Sequence, residues 1–453
     1  MDTSAPHLGR HGVITLVTAP ADGEVTVVTD NALGEKAPLL ARLLAPWARH
    51  AFADRPAVPG RAEGGPQGWN GGHGRVVTSM TSSRLARARF LGDLAANKGA
   101  AITGPMNAGE ARSIAERWVA EEVARSPGEV LCVFTHGSIN WMADAEPFPA
   151  SSDLDLVVVV PKLDPARHRP CKRPYAGLAV EAFYVPREWL VSAEVVLADY
   201  RLAPNVVSGK VLFDPDRIVD GLRAAVAPEF ARRPWVRLRC LSVRDQALSV
   251  IAAFEPSDSL IHVNGVTCLA VRAMAQMALL ADLRNPTVKK ALVKVRDVLA
   301  AYGLAEEHQE LLRLLGFAEL DDETILRASF HCRQTLDVAC DWMRTPFMGD
   351  NCVTVHSRPS LDVDVPASVA EGTGREIFLW VESLYAHAMI AIVNDAPPAV
   401  MAATRQVYLG DMARIRSATP AEARARMLAC RPALERMVGV CDDIVARNAR
   451  ALA

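Results

Sequence analysis

The alternation of apolar and polar positions changes its period near residue 228 of the 453-residue chain. Before that point short apolar runs dominate. Residues 13–17 (VITLV) and 24–29 (EVTVVT) are β-branched runs divided by Pro20-Ala21-Asp22-Gly23, the pattern of a hairpin. A helix is expected from Lys36 to Phe52. Residues 55–74 (RPAVPGRAEGGPQGWNGGHG) are rich in Gly and Pro and read as a surface connection, with an ordered lid as the less favoured alternative. From 109 to 125 (GEARSIAERWVAEEVAR) apolar residues recur at helical spacing. Four strands are predicted after it: 129–135 (EVLCVFT), Asp155 to Val160, Leu178 to Val185, and 209–213 (GKVLF), the last stopped by Asp214-Pro215.

Beyond Pro228 the period becomes helical. Helices are predicted over 236–254, 259–282, 287–301, 306–315, 322–344, 368–393 and 398–412. Breakers at Pro256, Pro286, Gly303, Gly316, Pro346 to Asn351, and Pro397-Pro398 separate them. The expected architecture is therefore an N-terminal extension (1–108), an α/β domain with a small mixed sheet and helices (109–228), and a mostly α-helical C-terminal domain (229–453).

Composition narrows the function classes. A formal net charge of −2 gives no footprint for a polyanion, so nucleic acid is a disfavoured partner. The nine cysteines are scattered and never spaced Cys-x-x-Cys, which predicts reduced thiols and a cytoplasmic location. The N-terminal MDTSAPHLGRHG has no basic-then-apolar order, so no signal peptide is expected. Uninterrupted apolar runs such as Leu156 to Pro161 fall short of the roughly 20 residues of a membrane span, so no membrane partner is expected either.

The chemistry concentrates in residues 132–160, CVFTHGSINWMADAEPFPASSDLDLVVVV. An apolar strand ends at Gly137-Ser138, and Asp153-Leu154-Asp155 opens a second, strongly apolar strand. Residues two apart in a strand share a face, so Asp153 and Asp155 project together. Adjacent carboxylates repel unless a cation lies between them, and hard oxygen ligands suit Mg²⁺. Gly137 and Ser138 offer a close backbone approach, N–H groups and a hydroxyl to a phosphate. Glu181 interrupts the apolar run LAVEAFYV, a costly place for a carboxylate without a partner. Beside the Asp153 strand it completes a three-carboxylate cluster that can bind one or two ions or take a proton.

Each of these residues has a plainer reading: an N-cap and solvated strand end for the two aspartates, a tight turn for Gly137-Ser138, an edge-strand surface position for Glu181. Glu188 and Glu194 are the fallback third carboxylates. His136 reads equally as a phosphate contact or a strand cap. Lys210 reads as a solvated lysine, and Arg237, Arg239 and Arg244 as a charged helix face. The other Asp-x-Asp pairs, Asp214/Asp216 and Asp362/Asp364, follow no Gly-Ser and are expected in turns or on the surface. His331, Cys332 and Cys340 lack a fourth zinc ligand at sensible spacing. Walker-type, Gly-x-Gly-x-x-Gly and Gly-x-Ser-x-Gly motifs are absent from the sequence.

Gly-Ser, a gap, Asp-x-Asp and a later acidic strand residue together resemble the DNA polymerase β-type nucleotidyltransferase superfamily, and within it the small-molecule, aminoglycoside-type enzymes. The resemblance spans residues 110–227, and 209–216 (GKVLFDPD) resemble the strand that ends such domains. It implies Gly137 and Ser138 as phosphate binders, Asp153 and Asp155 as Mg²⁺ ligands, and Glu181 as the third carboxylate and general base. It implies ATP or another nucleoside triphosphate as co-substrate, a small-molecule acceptor hydroxyl, release of pyrophosphate, and room for a homodimer. Asn140-Trp141, where a basic or small residue is usual, and the inserted-looking EPFP at 146–149 depart from the pattern. Two rivals remain: a nucleotide-binding regulatory protein with an inactive transferase fold, and a transferase acting on protein or tRNA.

Overall fold

The computed structural model describes residues 14–18, 25–29, 106–164, 167–254, 259–347, 349–416 and 419–453. Two units divide the chain, one of residues 1–95 with 252–255 and one of the remainder. In the first, β1 (Ile14–Thr18) and β2 (Val25–Thr29) pair antiparallel with Ile14 opposite Thr29, the expected hairpin. The expected helix at 36–52 and the Gly/Pro-rich segment at 55–74 lie outside the described residues.

The second unit begins its described part with α1 (Ala108–Arg125), started by a capping box in which Asn107 and Glu110 satisfy each other's backbone N–H groups. Five strands follow: β3 (Cys132–His136), β4 (Leu154–Val160), β5 (Cys171–Tyr175), β6 (Leu178–Pro186) and β7 (Val211–Phe213). They form one mixed sheet in the order β5-β6-β4-β3-β7, with β4 and β6 parallel and the other neighbours antiparallel. The Val157–Val160 run is buried on both sides, as a central strand requires. Leu154, Leu156, Val158 and Val160 pack with Ile114, Trp118 and Val119 of α1 on one face. Val157 and Val159 face the other way, under α2 (Ala193–Ala198), α3 (Leu202–Ser208) and α4 (Ile218–Val226).

β5 was not among the predicted strands. Its CKRPY sequence is short, charged and contains Pro174, yet it joins β6 through a two-residue turn at Ala176-Gly177. Both turn residues have positive φ, 47° and 84°, the conformation whose twist matches a hairpin.

Helices make up the rest: α5 (Arg233–Ala252), α6 (Leu260–Ala281), α7 (Ala291–Ala301), α8 (Ala305–Leu315), α9 (Asp322–Trp342), α10 (Val365–Ala370), α11 (Gly374–Asp395), α12 (Pro398–Ile415) and α13 (Pro420–Arg447). α13 is the long helix that no prediction covers. Pro420 stands in its first turn and Pro432 sits inside it, while Met427, Cys430, Leu434, Met437, Cys441 and Ile444 bury one stripe at spacings of three and four. α6 and α11 reach a mean hydropathy of 1.4 and 1.5, apolar and long enough to cross a membrane, although their polar interruptions kept the sequence runs short. In each, 83% of that apolar window is buried inside the molecule, as expected of core helices. No disulfide joins the eight cysteines whose side chains are described.

Candidate active site

Register across the sheet assembles the site. In β3 and β4 His136 lies opposite Asp155; in β4 and β6 Asp155 lies opposite Glu181; in β5 and β6 Lys172 lies opposite Glu181. Directly paired residues share a face, so Lys172, Glu181, Asp155 and His136 form one row, on the face opposite α1. Asp153, two residues before Asp155, joins it. One carboxylate oxygen from each of Asp153, Asp155 and Glu181 lies within 4.8 Å of the others. Two oxygens on one octahedral Mg²⁺ are at most ~4.2 Å apart, so small side-chain movements bring these donors onto one ion.

The three acids are not equivalent. Lys172, with its side chain only 8% exposed, pairs with Asp153 and lies 3.2 Å from Glu181 Oε2. Asn351, from the segment between α9 and α10, donates its amide to Glu181 Oε1. Asp155 takes neither a side-chain hydrogen bond nor an ion pair among the described residues. The electrostatics follow. Burial, the largest single influence, raises the Asp153 carboxyl, but the Lys172 ammonium, a hydrogen bond with Glu181 and the charge of Lys289 together outweigh it and leave Asp153 below the ordinary range. Asp155 is pushed well up, by burial first and then by the charges of Asp153 and Glu181. Glu181 also ends above the ordinary range, burial and Asp153 outweighing Lys172.

Gly137 is needed twice over. Its φ is +73°, and a Cβ there would fall 2.1 Å from Asp155 Oδ2. The glycine thus makes room for the Asp155 carboxylate as well as for the turn. Its N–H donates to Nδ1 of His136 at 2.5 Å, so His136 caps the short 3₁₀ helix Gly137–Trp141 and stays neutral, burial holding its pKa down. That resolves its two readings towards the cap and removes the Gly137 N–H from the donors expected for a phosphate. Ser138 is exposed beside it. Behind the turn Asn140 Nδ2 donates to Thr135 O at 3.0 Å and to Asn205 Oδ1 at 3.1 Å, which makes the unusual asparagine an internal brace.

The remaining candidates separate cleanly. Lys210 is half-exposed and paired with Glu116 at 2.9 Å. Arg237 pairs with Asp442. Arg239, expected on a charged face, is fully buried and donates to Leu197 O at 3.1 Å and Phe230 O at 2.6 Å, closing carbonyls where α5 meets the sheet domain. Asp214 caps α4 by accepting from Ile218 and Val219. Asp364, expected at the surface, is 9% exposed and accepts from Ser151 Oγ at 2.7 Å, two residues before Asp153. The buried charge of Asp364, at the end of a short π-helix (Ser360–Asp364), belongs to the support of the site, which spacing alone did not reveal. Asn351, Lys172 and Asp364 were all missed. Only Lys172 had a local signal: with a two-residue turn at Ala176-Gly177, it falls opposite Glu181 by counting outward.

No family model matches the sequence, and no curated protein matches it. Among solved structures, a nucleotidyltransferase-like protein from Exiguobacterium sibiricum 255-15 is similar over 72% of this chain and 89% of its own, at 14% identity and a TM-score of 0.24. A superposition at that score carries nothing about the site, whose chemistry stands on its own geometry.

Proposed function

We propose that the protein is a divalent-metal-dependent nucleotidyltransferase that moves a nucleoside monophosphate from a triphosphate to an acceptor hydroxyl. The observation that carries this reading is the convergence of Asp153, Asp155 and Glu181 from two parallel neighbouring strands, next to the Gly137-Ser138 turn that ends the antiparallel strand β3. Asp153 and Asp155 would hold Mg²⁺, which when bound neutralises triphosphate oxygens and favours in-line displacement. Ser138 presents an exposed hydroxyl to the phosphates. The acceptor oxygen forms a bond to the α-phosphorus as the bond to the pyrophosphate oxygen breaks. The acceptor proton passes to Glu181, whose raised affinity for protons suits a base and whose oxygens each keep a lone pair beyond those facing Lys172 and Asn351. A small-molecule acceptor fits the near-neutral net charge better than tRNA.

One observation favours a second reading. Lys172 already neutralises part of the acidic cluster, as a fold that binds nucleotide without turning it over would permit. Calorimetric titration of ATP, GTP, CTP and UTP, with and without Mg²⁺, on wild type and on Asp153→Asn/Asp155→Asn separates the two. Mg²⁺-dependent binding that the double variant loses, with pyrophosphate released on adding an acceptor, supports the enzyme. Binding indifferent to Mg²⁺ and to both substitutions leaves the regulatory reading.

A further inference from the structure

Among the described residues Lys172 is the one cation paired directly with the three carboxylates, and nothing in a metal-binding role for them calls for it. Its position is set by the backbone rather than by chance. The Ala176-Gly177 turn fixes the β5–β6 register, and that register puts Lys172 opposite Glu181. The side chain is 8% exposed and its ammonium bridges Asp153 and Glu181, while Asn351 holds the other Glu181 oxygen. Asp155 alone among the three takes no such partner among the described residues. The cluster therefore has two unlike halves, one already filled by an ammonium and one open.

We propose that Lys172 is a resident cation that stands in place of a second divalent ion, so that the site takes a single divalent ion, on Asp155 and the free side of Asp153. This rests on the nucleotidyltransferase reading and specifies its metal content. Three carboxylates and one ammonium leave a formal charge of −2, which one divalent ion cancels. Seating another ion between Asp153 and Glu181 requires the ammonium to leave a pocket where it is largely desolvated and doubly paired. Removing one partner from such a buried arrangement is costly, because the charges left behind lose their compensation. Lys172 is a positioning residue here: it holds Asp153 and Glu181 at a fixed separation and touches no reacting atom.

The probe is Mn²⁺, whose free concentration is read by electron paramagnetic resonance during titration of the full chain, with and without nucleoside triphosphate. Wild type is expected to bind one Mn²⁺ per chain beyond any ion carried by the nucleotide itself. Lys172→Met is expected to bind two, and Lys172→Arg, which keeps the charge, one. Two ions on wild type, or one on Lys172→Met, overturns the proposal while leaving the nucleotidyltransferase reading intact. No Mn²⁺ on wild type overturns the proposal, and if no triphosphate binds either, that reading falls with it. Should Lys172→Met fail to fold, the wild-type count alone decides.

Discussion

At the scale of single residues, Asp155 and Gly137 depend on each other. Asp155 carries a folded-state pKa well above its ordinary value, chiefly from burial. A carboxyl raised in this way stabilises the fold only at pH below its unfolded pKa, and that contribution is lost as pH rises through the folded value. Asp155→Asn should therefore make the metal-free protein more stable at pH 8 and change it little at pH 4. Urea melts at the two pH values give this comparison, and an equal loss of stability at both would sink the account. If the proposed transferase reading holds, the same variant should lower pyrophosphate release by about 100-fold or more, since it removes a carboxylate proposed to hold the ion. Gly137→Ala adds a methyl 2.1 Å from Asp155 Oδ2 in a left-handed backbone. The strain is on the order of 1–3 kcal/mol. The melting temperature should fall, and Mn²⁺ affinity with it, because Asp155 must move to admit the methyl. A Gly137→Ala protein with unchanged Mn²⁺ affinity would show that the glycine serves the turn alone.

Among the elements, what was legible followed from pattern strength. The β4 run and Glu181 in β6 were readable because β-branched residues in a central strand leave no alternative, and a carboxylate within them stands out. β5 was not, because an edge strand pairs along one side only and tolerates Lys172, Arg173 and Pro174. α13 was hidden by Pro432, although its buried stripe has helical spacing. Helix α11 holds a property that no pattern announces. Burial, helped by Arg272, pushes the His387 imidazole down to about 4, and Gly349 packs so close that a Cβ there would be 2.5 Å from its Nε2. A histidine lowered from an ordinary value near 6.5 costs nothing above that pH. Below it the unfolded chain takes up a proton that the folded chain refuses, so stability falls with pH until about 4, by about 3 kcal/mol in all. His387→Phe should flatten stability between pH 6.5 and 4 relative to wild type, as followed by chemical denaturation. An unchanged slope would mean that His387 takes up its proton in the folded state.

Across the whole second unit, the helices complete what the sheet begins. The sequence separates an α/β part from a helical part and places the acids in the first, because strand and helix periods are local. It does not show that Asn351 reaches Glu181, or that Asp364 and Lys289 reach the lead-in to β4, because those meetings depend on how helices pack. Lys289 Nζ donates to Ser151 O at 2.9 Å and lies 3.0 Å from Asp364 Oδ2, and Ser151 Oγ donates to Asp364 Oδ1. This clasp ends two residues before Asp153, so it fixes where the first acid of the cluster leaves the loop. Asp364→Ala leaves Lys289, 20% exposed, without its counter-charge and frees Ser151. The loss should be about 1–3 kcal/mol of stability. Mn²⁺ affinity should fall about tenfold, which is about 1.4 kcal/mol, from a substitution that touches none of the three acids. Asp362→Ala is the matched control: it lies two residues away and pairs with Arg333 on a more exposed surface, at 3.2 Å. Hydrogen exchange of the amides at 151–155 should quicken in Asp364→Ala and stay as in wild type in Asp362→Ala. If both variants bind Mn²⁺ like wild type, the sheet holds its acids unaided, and the helical part serves the acceptor side or stability instead.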